Sequence, residues 1–157
     1  MKRQGGFTLI EMVVVIVILG ILSVTAAPRF LNLQDDARNS SLQGLKGAID
    51  GAAGITFGKA AIQGKEGASS GQEVEGIKLV YGYPAATSEA LEAAVNGLKE
   101  DWKVVATGNL VDGEVEGIAY TFKARNDEGC YVHYKAATSA AAATTKVVTG
   151  NGCEISK

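Results

Sequence analysis

The 157-residue sequence predicts an α+β fold in which one long N-terminal helix packs on a small antiparallel β-sheet. The first observation is an apolar run over residues 7–27, which contains one charged side chain in 21 positions. The second is an apolar face at helical spacing that continues through residues 29–63. The third is a C-terminal half in which short segments alternate apolar and polar residues, as half-buried strands do. The helix is therefore expected to have a transmembrane half and an amphipathic half.

The apolar run is long enough to cross a membrane. As a helix, its 21 residues rise about 31 Å, close to the hydrocarbon thickness of a bilayer. Lys2 and Arg3 precede the run, so residues 1–6 should stay cytoplasmic while the rest of the chain is translocated. An ordinary secretory signal peptide is the alternative, with a weak cleavage site at residues 24–26. The length of the run and the presence of Glu11 inside it favour a permanent span.

Glu11 is the candidate functional residue of this run, because a carboxylate inside a membrane segment needs a partner. A cut between Gly6 and Phe7 would create a cationic amine four residues before Glu11, on the same helical face. That amine could pair with Glu11 of its own chain or of a neighbouring chain. The sequence therefore predicts an assembly contact at this end of the helix.

The segment Gly5-Gly6-Phe7-Thr8-Leu9-Ile10-Glu11 resembles the processing motif of type IV prepilins and of the related type II secretion pseudopilins. The resemblance implies that a dedicated peptidase cuts after Gly6 and N-methylates Phe7. It divides the chain into a leader of residues 1–6, a transmembrane and assembly helix of residues 7–28, and a globular domain of residues 29–157. Residues 27–38 further resemble pilins of the mannose-sensitive haemagglutinin (MSHA) type.

A weak stretch is expected near the end of the apolar run. Pro28 lacks an N–H group and its ring crowds the carbonyl of Val24, while Gly20 is a poor helix former. We expect residues 20–28 to unwind in an assembled filament and to make the fibre extensible. A simple kinked helix is the alternative.

Five glycines lie on one side of the amphipathic half, roughly opposite its apolar face. Each glycine inside a helix costs about 1 kcal/mol relative to alanine, so a regular row is expected to serve close approach by a neighbouring subunit's helix. The alternative is a helix that ends early, near the first two glycines of the row. This glycine stripe consists of Gly44, Gly47, Gly51, Gly54 and Gly58.

The C-terminal half is predicted to hold the strands. Alternating residues indicate strands at 118–122, 130–134 and 146–149, joined in part by a turn at residues 126–129 and preceded by a hairpin signal at Asp112-Gly113. Ser88 is expected to cap a short helix that reaches about Asn96. Bulges are expected at Gly76 and Gly117, which follow the repeated Glu-Val-Glu sequence. His133 is expected on the surface of its strand.

The two cysteines, Cys130 and Cys153, can form one intramolecular disulfide if the domain lies outside the cytoplasm. Two reduced, buried cysteines are the alternative. The enclosed residues 136–145 lack bulky anchors and should lie on the surface. By resemblance to type IV pilins, this region would face the outside of the fibre.

Catalytic, cofactor and nucleic-acid functions find little support in the sequence. Without Lys2, Arg3 and Glu11, the 15 basic and 17 acidic residues become 13 and 16, a mild net charge of −3. The cysteines and the single histidine lack the spacing of a metal site. The G-x-S-x-G match at residues 67–71 has no strand before it and is taken as accidental. The chain is therefore predicted to be a non-enzyme without cofactors or nucleic-acid partners.

The resemblance implies a structural major subunit of an MSHA-like type IV pilus of a Gram-negative bacterium. Its expected partners are identical subunits, the prepilin peptidase and methyltransferase, the inner-membrane assembly machinery, and a host or abiotic surface to which the fibre adheres. The subunit would reside in the inner membrane before assembly and in the extracellular pilus afterwards. The alternative is a type II secretion major pseudopilin, a class that generally lacks such a cysteine pair and carries a calcium site.

Overall fold

The computed structural model describes residues 6–105, 110, 113, 116–123, 129–150 and 153, with only the backbone described for residues 27–32. Three helices and seven strands follow one another along these residues. The helices are α1 (Leu9–Ile62), α2 (Ser88–Ala94) and α3 (Leu98–Asp101). The strands are β1 (Gln72–Val74), β2 (Ile77–Val80), β3 (Tyr83–Pro84), β4 (Trp102–Val104), β5 (Ile118–Phe122), β6 (Cys130–Lys135) and β7 (Thr144–Thr149).

Helix α1 is continuous over 54 residues, which corresponds to a length of about 80 Å. It begins at the cap residue Thr8 and ends at Gln63, whose N–H donates to carbonyl oxygens of the last turn. The expectation of a long helix through residues 29–63 is confirmed. The alternative of an early end near Gly44 or Gly47 is wrong, because the helix continues for a further 15 residues after Gly47.

The second half of α1 supplies one side of the hydrophobic core. Its buried residues recur at helical spacing, so that a single stripe faces the rest of the domain. Leu42, Leu45, Ile49 and Ala53 pack with Leu91, Val95, Leu98, Tyr120, Val132 and Tyr134, whereas Ala60 packs with Val74, Ile77, Leu79 and Ala90. The helix therefore joins two core clusters that follow one another along its axis.

Two antiparallel sheets lie against α1, where the sequence indicated a single small one. The first has the order β1-β2-β3 and the second has the order β4-β5-β6-β7. The hydroxyl of Tyr134 on β6 donates a 2.7 Å hydrogen bond to the carbonyl oxygen of Pro84 on β3, which links the two sheets. The observed architecture is the α+β arrangement predicted above, since one long helix packs on antiparallel strands.

The first sheet is built from two tight hairpins. Val74 pairs with Ile77 and Val80 pairs with Tyr83, which leaves two-residue connections at residues 75–76 and 81–82. All four connecting residues have positive φ, as type I′ turns require. The bulge expected at Gly76 is therefore wrong, because this glycine occupies the second turn position instead.

Strand β6 is buried on both faces, and His133 is correspondingly buried with 4% of its surface exposed. The expectation of a surface histidine is wrong because the chain near Gly117 lies over this position. A Cβ at Gly117 would come within 2.7 Å of the His133 Nε2 atom and would also meet the Tyr134 carbonyl oxygen. Gly117 is needed for close approach. It lies one residue before the described register of β5 with β6, so the bulge expected there stays a prediction.

The disulfide between Cys130 and Cys153 is confirmed, with a Cα–Cα distance of 5.0 Å. Both cysteines are buried in the core cluster that contains Leu42 and Ile49. Of the enclosed segment, residues 138–142 are exposed as expected, whereas Ala137 is buried. The disulfide therefore fixes the end of the described chain against the strand on which α1 packs.

The N-cap residue of helix α2 lies one position earlier in the sequence than expected. The cap residue is Thr87, whose Oγ1 accepts from the Ala90 N–H at 3.3 Å, and the helix ends at Ala94. The pKa of the Glu89 carboxyl is lowered by a hydrogen bond from its own backbone N–H and by one from the Thr87 hydroxyl. The hairpin signal at Asp112 and the turn at residues 126–128 lie outside the described residues.

Candidate functional site

The N-terminus of α1 is closed by a reciprocal capping box. The Glu11 carboxylate accepts from the Thr8 N–H at 2.7 Å and from the Thr8 hydroxyl at 2.6 Å. The Thr8 hydroxyl in turn accepts from the Glu11 N–H at 3.4 Å. Sequence reasoning assigned Glu11 to an assembly contact and missed Thr8. The Thr-x-x-Glu spacing of the capping box was the signal that could have found it.

Phe7 and Gly6, the residues on either side of the expected cut, are exposed and precede the helix. Phe7 exposes 81% of its surface. In this chain the nitrogen of Phe7 belongs to a peptide bond, and the Glu11 carboxylate accepts from the hydroxyl and the N–H of Thr8. Because the capping box uses only Thr8 and Glu11, a cut after Gly6 would leave its hydrogen bonds in place.

The first half of α1, over Leu9–Ala26, is long enough and apolar enough to cross a membrane. Every large apolar residue in it is exposed, from 44% at Val13 to 82% at Leu9. An apolar surface of this length on one helix is far larger than the patches of soluble monomers, and it needs lipid or protein to cover it.

The stretch expected to be weak is helical, with two hydroxyl groups bonded back to the helix. Ser23 Oγ donates to the Leu19 carbonyl at 2.7 Å, and Thr25 Oγ1 donates to the Leu22 carbonyl at 3.1 Å. Such back-bonding satisfies the hydroxyls away from water but competes with the helical N–H groups for the same carbonyls. The backbone is helical from Gly20 through Pro28.

The five residues of the glycine stripe are all exposed. A Cβ added to any of them would meet no described atom within 4 Å outside its own helical surroundings. The described part of the domain therefore gives no internal reason for small residues here. Larger side chains would fit the isolated chain and would improve its helix propensity.

An open groove of about 510 Å³ runs along one flank of the glycine stripe. Gly47 and Gly51 form part of its floor, and the side chain of Ile55, 64% exposed, stands beside them. The opposite wall comes from the ends of α2 and of the β1–β2 hairpin. Lys59 Nζ lies 2.5 Å from Glu75 Oε2 at this wall and ties the hairpin to the helix. We call this feature the glycine groove.

The fold and the N-terminal motif are similar to those of type IV pilin-like proteins. Residues 1–27 match the prokaryotic N-terminal methylation motif, which type IV pilins and pseudopilins share. The long apolar helix, its packed second half and the antiparallel sheets agree with the α+β pilin fold.

Two curated proteins show partial similarity to the chain. It is 45% identical over 53 residues to the type IV narrow pilus major component PilA5 of Thermus thermophilus, covering 34% of this chain and 46% of that protein. It is 44% identical over 54 residues to the type II secretion system core protein G of Klebsiella pneumoniae, covering 32% and 39%. The chain thus spans less than half the length of either relative. No solved structure matches it.

Proposed function

We propose that this chain is the precursor of a major subunit of an MSHA-like type IV pilus. In this proposal residues 1–6 are a leader removed by a prepilin peptidase, which also methylates Phe7. Residues 7–28 anchor the subunit in the inner membrane and then form the assembly helix, and residues 29–157 form the globular domain. The resemblance of residues 27–38 to MSHA-type pilins supports the subtype, and adhesion to cells or surfaces is its expected use.

The observation that carries the proposal is the continuity of α1 across two opposite environments. The helix passes without a break from an apolar half exposed on all sides to a half that packs on the globular domain. A membrane can cover the exposed half, and so can the same half of other copies. Transfer from lipid to a bundle of identical helices leaves the apolar surface covered throughout, so a fibre can grow without exposing it to water.

The proposed assembly surface extends from this apolar half to the glycine groove. Small residues allow two helix backbones to approach closely, and the open space above Gly47 and Gly51 permits it here. A helix of a second subunit lying in the groove would also cover the exposed Ile55. The surface thus has an apolar edge and a backbone floor, both of which suit a helix.

Glu11 is proposed to set the axial register by pairing with the amine that cleavage creates at Phe7. Two variants separate this charge from the capping box. Glu11→Val removes both, whereas Glu11→Gln keeps a side chain that can close the capping box but carries no charge. We expect both variants to be processed and inserted but to enter filaments at least about tenfold more slowly, because the axial attraction is lost.

The measurement is the amount of sheared fibre, seen by electron microscopy and quantified against membrane-bound subunit. Mass spectrometry of the same material reports the new N-terminus and its methylation. Slow assembly of Glu11→Val together with normal assembly of Glu11→Gln would assign Glu11 to helix capping alone. Normal fibre yield from Glu11→Val would rule out any assembly role of this residue.

A pseudopilus subunit of type II secretion is the second candidate, favoured by the 44% identity to core protein G. The disulfide between Cys130 and Cys153 supports the pilus instead, because the resemblance associates a cysteine pair with pilins. Calcium binding to the purified chain, together with short periplasmic fibres and no surface fibre, would overturn the pilus in favour of the pseudopilus.

A further inference from the structure

An asparagine followed by a glycine forms the tip of the connection between helices α2 and α3. Asn96 and Gly97 are both exposed, whereas Val95 before them and Leu98 after them are buried. Both buried residues belong to the core cluster that contains Leu42. They hold the two ends of the connection in place, so its two-residue tip faces solvent.

The backbone nitrogen of Gly97 is open to the side chain of Asn96. Gly97 has a φ of 79°, which glycine adopts without strain, and it has no side chain that would shield its nitrogen. The one described atom that a Cβ at Gly97 would meet is Asp101 Oδ2, at 4.0 Å. Among the described residues, neither the Gly97 N–H nor the Asn96 side-chain amide takes part in a hydrogen bond. No competing bond therefore holds the two groups apart.

From this geometry we infer that Asn96 is a site of spontaneous deamidation. The Gly97 nitrogen attacks the side-chain carbonyl carbon of Asn96, and a C–N bond forms. The proton of this nitrogen passes through solvent to the leaving ammonia, and a succinimide ring results. Water then opens the ring at either carbonyl and leaves aspartate, or isoaspartate, in which the main chain runs through the side-chain carbon. Both products carry a carboxylate in place of a neutral amide.

The new carboxylate lies on the wall of the glycine groove. Asn96 lines this groove beside the end of α2, and Lys59 and Glu75 are the charged side chains among the described residues that line it. Because Lys59 and Glu75 form an ion pair with each other, the lining is neutral before deamidation. Deamidation gives it one excess negative charge. The charge of the groove therefore depends on the age of the protein.

The test follows the full-length chain in phospholipid nanodiscs during incubation at neutral and at mildly alkaline pH. Trypsin cuts after Lys78 and Lys99, so Asn96 is the one asparagine in its peptide, and mass spectrometry reports its conversion. Digestion in heavy-oxygen water marks any conversion during handling, because the hydrolysing water supplies the new oxygen atom. We expect conversion within about tenfold of the rate in a free peptide of residues 88–101, and faster conversion at the higher pH.

Asn39 is the internal control, since it lies within α1, where the N–H of the following Ser40 is held by the helix. Asn39 should remain unconverted in the same digest. Asn96→Gln keeps an amide but needs a larger ring, so we expect no conversion at this position. The other Asn-Gly dipeptide, at residues 151–152, lies outside the described residues and falls on a separate peptide. An unconverted Asn96 after complete conversion of the free peptide, or equal conversion of Asn39 and Asn96, would overturn the inference.

The consequence for assembly rests on the proposed function. A neighbouring helix that covers the groove would remove water from the new carboxylate, which is costly for an unpaired charge. Converted subunits should therefore be depleted in sheared fibres relative to the membrane pool, and Asn96→Asp should give less fibre than the neutral Asn96→Gln. Conversion of Asn96 without either effect would support the modification and would contradict helix docking in the glycine groove.

Discussion

The two halves of α1 belong to one unbroken helix but have opposite surroundings. Over Leu9–Ala26 the large apolar side chains are all exposed, whereas Leu42 and Ile49 in the second half are fully buried. Helix propensity does not explain the difference, since the first half is rich in β-branched residues and the second contains five glycines. Burial of one face stabilises the second half, while the first half needs lipid or protein to cover its apolar surface.

Substitution of one buried and one exposed isoleucine should give the largest difference in free energy of unfolding between the two halves of α1. We expect Ile49→Ala to lower the free energy of unfolding by about 2–5 kcal/mol, because it leaves a cavity in the core. Ile16→Ala removes the same atoms from a side chain that is 63% exposed and should change it by less than about 0.5 kcal/mol. Chemical denaturation in micelles, followed by the near-ultraviolet dichroism of Trp102 and the tyrosines, measures both. Equal losses would show that the apolar half also contributes to folding.

Two buried tyrosines in the domain that packs on the second half of α1 should differ in how much their hydroxyls contribute to stability. Tyr134→Phe removes the hydrogen bond to Pro84 and leaves a buried carbonyl without its donor, so we expect a loss of about 1–3 kcal/mol. The Tyr120 hydroxyl is buried without a hydrogen-bond partner among the described residues. Tyr120→Phe should therefore be neutral or slightly stabilising. The same denaturation measurement compares them, and a loss at Tyr120 equal to that at Tyr134 would reveal a bound water or another partner.

Alkaline pH should act on the same two tyrosines. Burial raises the pKa of the Tyr120 and Tyr134 hydroxyls above the usual value of 10.0. As the pH rises, the unfolded chain therefore releases these protons before the folded chain does. The free energy of unfolding keeps the full contribution of both tyrosines below about pH 10 and falls as the pH rises further. Above that pH, each tyrosine should lower the free energy of unfolding by up to about 1.4 kcal/mol per pH unit. Unfolding measured between pH 8 and pH 12 tests this, and Tyr134→Phe should have about half the slope. An unchanged slope in that variant would contradict the assignment.

The smallest expected effect separates folding from assembly at one position of the packed half. Gly51→Ala should stabilise the isolated chain by up to about 1 kcal/mol, because the added methyl group meets open space and favours the helix. Gly51→Leu should also fold but should assemble poorly if another helix approaches the glycine groove closely. Thermal unfolding and fibre yield are measured on the same preparations. Full assembly of Gly51→Leu would contradict the proposed close approach.

The parts of this structure that follow from local spacing could be predicted from the sequence. The exposed run, the buried stripe from Leu42 to Ala60 and the disulfide all depend on periodicity or on a count of two cysteines. Two features depended on tertiary context instead. His133 is buried because the segment near Gly117 covers its strand, and a strand's alternation does not report what lies over its outer face. Gly76 forms a two-residue turn, which a glycine within a strand-like stretch does not distinguish from a bulge.

The candidate site was only partly predictable for a related reason. Glu11 stands out as a charge in an apolar run, but the hydrogen bonds of Thr8 become evident once the start of the helix is known. The glycine groove joins Gly51 of α1, Glu75 of the β1–β2 hairpin and Ala94 of α2, which are far apart in the sequence. Such a surface depends on how the hairpins turn, and composition alone does not indicate it.

The capping box of Thr8 and Glu11 has a consequence for the proposed cleavage after Gly6. Its hydrogen bonds need no atom from residues 1–6, so the precursor and the mature chain would begin their helix at the same residue. Removal of the leader would then change the charge at the end of the chain, while the geometry of the capping box stays the same. Cleavage would then add a positive charge at Phe7 without any refolding of the start of the helix.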